Sequence, residues 1–355
     1  MKDTATNILK FVLFTAIGLG ILYYVYSSQD ASFQAQCATD GIAKEDCSLW
    51  RKILADFRSV NYFYILLTVS AFTISNLSRA FRWNMLIAPL GYRPRIRNSY
   101  LAIMLAYLAN LAVSRVGEVV RCTLLSRYEK IPVDKLFGTV VVDRLLDVIC
   151  LLICVGMTLL VQFSTILDFF HRNADISAKL TFLYNPITWV VLGVLAVAGV
   201  FALRSRDRVR HFDLYDTVKN TILGFWDGIK AIKDLEHWGL FLMHTVIIWL
   251  MYYMMTYFCF SAFAPTANLG WAAALTVFVF GSFGIVIPSP GGMGSFHFLV
   301  VQALIIYMIK GADAFSFANI QFVAVNSCII FFGLMAVILM PFLNKGYVPN
   351  ESTKV

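Results

Sequence analysis

Charged residues are scarce in this 355-residue sequence: Asp, Glu, Lys and Arg together make up 14% of it, against about 25% in an ordinary soluble domain. Hydrophobic residues make up 59%. A soluble fold of this size would lack the polar residues needed to cover its surface, so the composition predicts a protein of the lipid bilayer. The small numbers of cysteine (7) and proline (9) exclude a disulfide scaffold and a collagen-like or disordered chain.

Enzyme signatures are also absent. The sequence contains no phosphate-binding G-x-x-x-x-G-K-[ST] loop, no H-E-x-x-H zinc helix and no G-x-S-x-G nucleophile turn. We therefore expect a protein that is not an enzyme and that needs no cofactor or metal ion. Since it has no ATP-binding loop, any transport that it carries out would be passive or coupled to an ion gradient.

The net charge of +8 indicates sidedness rather than nucleic-acid binding. Basic residues concentrate in three segments, 79–98, 114–137 and 204–238, which the positive-inside rule places in the cytoplasm. The segment 27–60 has four basic and five acidic residues and is expected outside. This pattern predicts a multi-pass membrane protein with both termini in the cytoplasm.

Six charge-free runs are long enough to cross a membrane, which takes about 20 apolar residues. The first, near the N-terminus, is predicted to be an uncleaved signal anchor. The runs are Phe11–Tyr26, which makes one span together with the preceding residues 8–10, Asn61–Ser78, Val148–Leu167, Leu180–Leu203, 239–262 and 316–341.

At two further places in the sequence the apolar segments are too short for ordinary spans. Ser99–Val113 would form a helix of about 22 Å, short of the ~30 Å hydrocarbon core. Trp271–Ile287 and Ser295–Ile309 are separated by the helix-breaking run Pro288–Gly294. We expect a re-entrant hairpin at each place, although two very short full spans would leave the same sidedness.

The order of spans and hairpins predicts an inverted repeat. The half 61–167 and the half 239–341 have the same elements in opposite orientation, as in many secondary transporters. The predicted fold is an all-α polytopic membrane protein with about six full spans and two re-entrant helical hairpins. Residues 1–60 would be the anchor and external loop, 61–341 the transmembrane domain and 342–355 a cytoplasmic tail.

Charged residues near the first hairpin are the leading candidates for a substrate site, because charge at membrane depth is costly and faces a partner or a cavity. A guanidinium suits a phosphate, to which it can donate two hydrogen bonds. A structural ion pair between Arg115 and Glu118 is the alternative. The candidates here are Arg115, Gly117, Glu118 and Arg121.

A second group of candidates is Asp143, Arg144 and Asp147. Asp143 and Asp147 share a helix face at i, i+4, and they could be partners of the basic residues or a proton-coupling carboxylate. An acidic helix start that stabilises the helix dipole is the other interpretation.

The glycine-rich turn and an external cysteine pair complete the candidates. Backbone amides at the turn, followed by a helix N-terminus, could bind an anion. Close helix packing is the alternative for the glycines, and an interior hydrogen-bonded residue is the alternative for the histidine. Cys37 and Cys47 could form a disulfide in an oxidising compartment or remain two free thiols. The turn residues are Pro290, Gly291, Gly292, Gly294 and His297.

Three motifs, taken in order, resemble the lysylphosphatidylglycerol synthase transmembrane-region family, the flippase-like membrane domain of the multiple peptide resistance factor. They are Arg115–Arg121 (RVGEVVR), Ile131-Pro132 leading to Phe137–Asp147 (FGTVVVDRLLD), and Pro290–Phe296 (PGGMGSF). The resemblance runs from about the second span to the C-terminus. An acidic residue is common after the glycine-rich turn in the family, whereas this chain has His297.

The resemblance implies a bacterial or archaeal membrane protein, expected in the bacterial cytoplasmic (inner) membrane. It would move an anionic lipid or lipid-linked precursor between leaflets, without the synthase activity of the two-domain members. The expected partners are membrane lipids and not nucleic acid, with a homo-oligomer left open. Two alternatives remain: a membrane-embedded lipid-modifying enzyme that uses carboxylates for acid–base chemistry, and an assembly partner of cell-envelope enzymes.

Overall fold

The structure is a computed structural model that describes residues 2–39, 47–113, 115–172, 235–287 and 289–347. These residues form α-helices and two short 3-10 turns and contain no β-strand. The predicted span Leu180–Leu203, most of the basic segment 204–238 and the end of the predicted tail lie outside the described residues. The helices are α1 (Lys2–Thr39), α2 (Leu49–Ser59), α3 (Tyr62–Ile87), α4 (Ile96–Ala112), α5 (Gly117–Glu129), α6 (Val133–Arg172), α7 (Trp238–Ala262), α8 (Trp271–Val286), α9 (Ser295–Ile306) and α10 (Gly311–Leu343).

Long apolar helices confirm a multi-pass membrane protein. Within the described residues, three stretches are long and apolar enough to cross a bilayer: Val133–Thr165 of α6, all of α7 and all of α10. The pair α2 and α3, bent by 80° where they join, satisfies the same criterion as one broken span. The number of six spans and the inverted repeat stay predictions.

Helix α3 differs from its expected extent. It begins at Tyr62, after the N-cap residue Asn61, whose side chain accepts a hydrogen bond from the Phe63 amide at 3.0 Å, and it continues to Ile87. The sequence placed Arg79 and Arg82 in a cytoplasmic loop that starts at residue 79. That placement is wrong. Both arginines belong to α3 and are buried, and two carboxylates of α6 neutralise their charge.

Each of the two short segments forms a helix–break–helix pair. Helices α4 and α5 pack against each other, and the side chain of Asn110 closes the break between them by accepting a hydrogen bond from the Gly117 amide at 2.7 Å. Helices α8 and α9 pack against each other across the glycine-rich break, where Gly284 lies directly against the backbone of Phe296. The pairing of short helices is as expected; that they are re-entrant stays a prediction.

Helix α10 packs against both pairs. Its Gly333 leaves room for Leu108 of α4, and it also contacts α9. Helix α3 lies along α7, where Thr68 and Cys259 are in hydrogen-bonding contact at 3.7 Å. The two breaks are thereby held within one packed unit that comprises residues 1–161 and 235–355.

A disulfide joins Cys37 at the end of α1 to Cys47 just before α2, with their Cα atoms 6.2 Å apart. Next to it, Lys52 of α2 forms ion pairs with Asp56 at 2.6 Å and with Asp313 of α10 at 2.7 Å. These contacts fasten α2 to the start of α10.

Trypsin digestion offers a direct check of this bond. Cleavage after Lys10, Lys44 and Arg51 separates the two cysteines into peptides 11–44 and 45–51. Without reductant we expect mass spectrometry to detect the two peptides as one linked species, which dithiothreitol converts into the two separate masses. Two free, alkylatable peptides in the unreduced sample would contradict the disulfide.

Candidate functional site

A buried charge cluster lies where α3, α5 and α6 meet. Asp143 is at its centre. Its Oδ1 accepts a hydrogen bond from Arg82 at 2.6 Å, and its Oδ2 accepts from Arg79 at 3.1 Å. The Nη1 of Arg121 donates to the same Oδ2 at 3.0 Å. Asp147, one turn along α6, accepts from Arg82 at 2.8 Å and from Arg79 at 2.9 Å.

The charge cluster is closed to solvent. Side-chain exposure is 0% for Arg82 and Asp143 and 2–3% for Arg121 and Arg79, whereas Asp147 retains 15%. Removing charges from water is costly, and several kcal/mol per ion is typical, so each must be held by an opposite charge. The mutual pairing of arginine and aspartate explains how α3 and α6 carry these charges inside an apolar helix bundle.

Arg121 is held by an aromatic ring as well as by Asp143. Its guanidinium lies over the ring of Trp83, 3.7 Å from the ring centre, which is a favourable cation–π arrangement. The indole N–H of Trp83, which is itself fully buried, donates to Thr139 of α6 at 2.9 Å. The ring thus fixes the position of Arg121 relative to both α3 and α6.

Several donors in the charge cluster have no partner. In Arg82, Nε and Nη1 are buried without a hydrogen bond, and in Arg121 the same is true of Nε and Nη2. A buried charged donor left unsatisfied costs about 1–3 kcal/mol or more. The cluster therefore has unused capacity to bind an anion.

A half-exposed ion pair covers the edge of the charge cluster. Arg144 of α6 pairs with Glu118 of α5 at 3.2 Å, and the side chains are 43% and 26% exposed. Arg144 also lies 3.6 Å from Asp147, its neighbour at i+3. The partner of Glu118 in this structure is thus Arg144, not the Arg115 that the sequence offered as its alternative partner.

Arg115 lies in the break between α4 and α5, apart from the charge cluster. Its φ of 68° is in the left-handed region, and its side chain is exposed. The proposed partnership of Arg115 with the α6 carboxylates is therefore not present here, while that of Arg121 is. Gly117, which opens α5, is buried against Ala106 and Asn110, where a Cβ would collide with both.

The second break has the backbone shape that its glycines permit. Gly291, Gly292 and Gly294 have φ values of 60°, 78° and 81°, which side chains disfavour. Pro290 opens a single 3-10 turn, and no side chain caps α9 at Gly294. The hydroxyl of Ser295 donates to the Gly284 carbonyl at 2.6 Å and fixes α9 to α8.

The second break contacts the end of α4. A Cβ built on Gly291 would lie 2.8 Å from the side chain of Leu111, which is in the last turn of α4. It would also lie 3.5 Å from the Asn326 side chain of α10. The glycine thus allows the second break to contact the end of α4, next to the first break.

His297 is an interior residue and lies apart from the charge cluster. It is 1% exposed and packs against Phe322 with ring centres 4.6 Å apart, and its Nδ1 has no hydrogen-bond partner. This setting corresponds to the alternative named in the sequence analysis, in which His297 is an interior residue. In the part of the chain that the structure describes, no three His, Cys, Asp or Glu side chains are grouped to hold a metal ion.

A second polar network lies at the base of the first helix–break–helix pair. Glu129, at the end of α5, accepts hydrogen bonds from the side chain of Asn98 at 2.5 Å and from the Tyr347 hydroxyl at 3.1 Å. Asn98 and Asn344 exchange two amide hydrogen bonds of 2.9 Å. Burial, followed by the charge of Glu129, raises the pKa of Tyr347. This Glu129 network joins the start of α4 and the end of α5 to the residues after α10.

Sequence reasoning missed three members of the site: Arg79, Arg82 and Trp83. A signal was present, since Ala80, Phe81 and Trp83 continue the apolar pattern of α3 between and beyond the arginines. Two arginines at i, i+3 on one helix face also match two aspartates at i, i+4 on another. Treating every basic residue as a loop residue concealed this complementarity.

Comparison with known proteins places the sequence in a family of membrane proteins. The sequence model of the lysylphosphatidylglycerol synthase TM region matches residues 48–343, a range that contains the charge cluster and both breaks. A UPF0104 membrane protein of Methanocaldococcus jannaschii is 23% identical over 256 residues, which cover 65% of this chain and 75% of the relative. No solved structure matches the chain. The predicted resemblance is confirmed, and the chain belongs to the family of the lysylphosphatidylglycerol synthase TM region.

Proposed function

We propose that this protein moves an anionic lipid or lipid-linked precursor between the two leaflets of a membrane. The observation that carries the proposal is the contact of the second helix break with the end of α4, beside the first break, where Gly291 lies against Leu111. Irregular backbone at membrane depth is tolerated where it is buried in protein or lines a cavity, and in transporters broken helices meet at the substrate site. The family membership supports a role connected with membrane lipids.

In this proposal the headgroup passes along the breaks while the apolar tails stay in the bilayer. The exposed guanidinium of Arg115 and the backbone amides around Gly294 are placed at the breaks to attract an anion. An apolar groove of about 370 Å³ between α3 and α10, lined by residues such as Val69, Val323 and Phe332, offers a surface for a tail.

A lipid-modifying enzyme is less well supported than a translocase. Acid–base chemistry needs a carboxyl group that can reach a substrate and exchange a proton. The carboxylate of Asp143 is buried and bonded to three arginines, and that of Asp147 to two. Such carboxylates are suited to holding cations in place, so we favour binding and transport.

Reconstitution in liposomes tests the translocase. The experiment uses vesicles that contain fluorescent phosphatidylglycerol and adds dithionite, which quenches only outer-leaflet label. We expect the label lost to rise from about half to nearly all of the total when the protein is present. Arg115→Ala should slow the exchange by about tenfold or more, because one charged hydrogen bond is worth about 1.5–3 kcal/mol.

Lys345→Ala is a suitable control, because Lys345 lies beyond α10, away from both breaks. Equal loss of label in vesicles with and without protein would refute translocation of this lipid. Fast exchange that is unchanged by Arg115→Ala would remove Arg115 from the pathway.

A further inference from the structure

The charge cluster and the Glu129 network are both buried and polar, yet they differ in how fully they are bonded. In the Glu129 network, both oxygens of Glu129 and the amides of Asn98 and Asn344 have partners. In the charge cluster, four nitrogen atoms of Arg82 and Arg121 have none. Fully satisfied buried networks hold one arrangement, whereas unsatisfied donors favour the arrival of another acceptor.

The charge cluster also carries a surplus of positive charge. Three arginines face two aspartates, and the rim pair of Arg144 and Glu118 adds one charge of each sign. Surplus positive charge in a closed apolar setting is strongly unfavourable unless an anion can balance it. The excess of one unit corresponds to the single negative charge of a phosphodiester.

We propose that the charge cluster is a phosphate-binding site in which Asp143 is the resident anion. A phosphate group of the substrate binds the free donors of Arg121 and Arg82, where it competes with Asp143 for the positive charge of these guanidiniums. The inference rests on the proposed anionic lipid substrate and deepens it by naming the site that reads the phosphate and the carboxylate that competes with it.

The geometry of Arg121 leaves two of its donor groups free for a phosphate. It donates to Asp143 through Nη1 alone, so the edge formed by Nε and Nη2 remains free for two further hydrogen bonds. A guanidinium edge binds two oxygens of a phosphate side by side. The Trp83 ring lies against the face of the guanidinium, so a ligand at the guanidinium edge leaves this contact in place.

The rim pair supplies the route of access. Glu118 lies on the same helix as Arg121, one turn closer to the exposed break, and its partner Arg144 is next to Asp143 on α6. Because the side chains of Glu118 and Arg144 are 26% and 43% exposed, opening their contact costs less than opening the contacts inside the cluster. Opening this pair would connect the break with Arg121.

Binding of phosphatidylglycerol to the purified full chain tests the proposal. The experiment measures the rise in melting temperature and the Kd in detergent micelles for the native protein, Arg121→Gln, Asp143→Asn and a control, Arg127→Gln. Arg127 is exposed on the same helix and lies outside the cluster. We expect Arg121→Gln to weaken binding about tenfold or more, Arg127→Gln to leave it unchanged, and Asp143→Asn to strengthen it because the competitor is gone.

Competitors identify the group that is recognised. If inorganic phosphate displaces the lipid, the site recognises phosphate alone. If lipid binding depends on Arg121 but is not displaced by inorganic phosphate, the site requires the whole lipid anion. Both results support the proposal. Displacement by diacylglycerol as effective as by unlabelled phosphatidylglycerol would overturn it, because that lipid carries no phosphate.

Two further results would overturn the proposal: equal affinity in Arg121→Gln and Arg127→Gln, or weaker lipid binding in folded Asp143→Asn. If Arg121→Gln does not fold, the Asp143→Asn result decides. Failure of the proposed translocation is separable from failure of this site. Liposomes without exchange alongside Arg121-dependent binding would refute transport alone, and exchange without Arg121-dependent binding would refute the site alone.

Discussion

An Asp143→Ala variant is expected to lose about 3–5 kcal/mol of stability, the usual cost of removing one partner from a buried ion pair. The reason is specific to this cluster. Asp143 accepts hydrogen bonds from Arg79, Arg82 and Arg121, so its loss leaves three buried guanidiniums with only Asp147 among them. The change is measured as a shift in the thermal melting temperature in detergent, with tryptophan fluorescence as the signal.

A double-mutant cycle separates charge balance from other effects. Asp143→Asn combined with Arg121→Gln removes one charge of each sign, and we expect the double variant to be about 1–3 kcal/mol more stable than the sum of the single changes predicts. Asp134→Asn, at an exposed site in the first turn of the same helix, is the control and should cost less than about 1 kcal/mol. A cost for Asp143→Ala as small as that of Asp134→Asn would show that water already reaches the cluster.

Gly284→Ala is expected to destabilise the contact between α8 and α9 by about 1–3 kcal/mol or more. The added Cβ would lie 2.6 Å from the Cα and 2.9 Å from the amide nitrogen of Phe296. Both atoms belong to the backbone of the facing helix and cannot turn aside as a side chain could. The two helices must separate, which also breaks the 2.6 Å hydrogen bond between Ser295 and the Gly284 carbonyl.

Gly156→Ala in α6 is the matched control, because a Cβ there has nothing within 4 Å. Alanine in a helix interior is favoured over glycine by about 0.8–1 kcal/mol, so this variant should be as stable as the native protein or slightly more stable. Melting temperatures of the two variants, with exchange rates in liposomes, make the comparison. Equal melting temperatures would mean that α8 and α9 are not in close contact.

Much of the site could be predicted from local spacing. Asp143 and Asp147 at i, i+4 had to share one face of a helix, and the glycine-rich run around Gly291 had to interrupt one. These inferences depend only on helix geometry and backbone sterics. The structure places both aspartates in one cluster and gives three glycines of the break a positive φ.

Partner choice between distant helices could not be predicted in this way. Arg115 is three residues before Glu118 in the sequence, whereas Arg144 lies on another helix, and the packing of α5 against α6 pairs Glu118 with Arg144. Arg79 and Arg82 were misplaced because the positive-inside rule counts basic residues near span ends without asking what faces them. Their carboxylate partners lie more than 60 residues away in the chain, beyond the reach of any local pattern.

The Glu129 network has a consequence for biosynthesis. The hydrogen bonds between Asn98 and Asn344 join residues that are 246 positions apart. At a synthesis rate of about 5–20 residues per second, the ribosome needs roughly 10–50 seconds after making the start of α4 to supply its partner. During that interval the amide of Asn98 has no Asn344 to bond. The pair of α4 and α5 can therefore complete its packing only after α10 has been inserted.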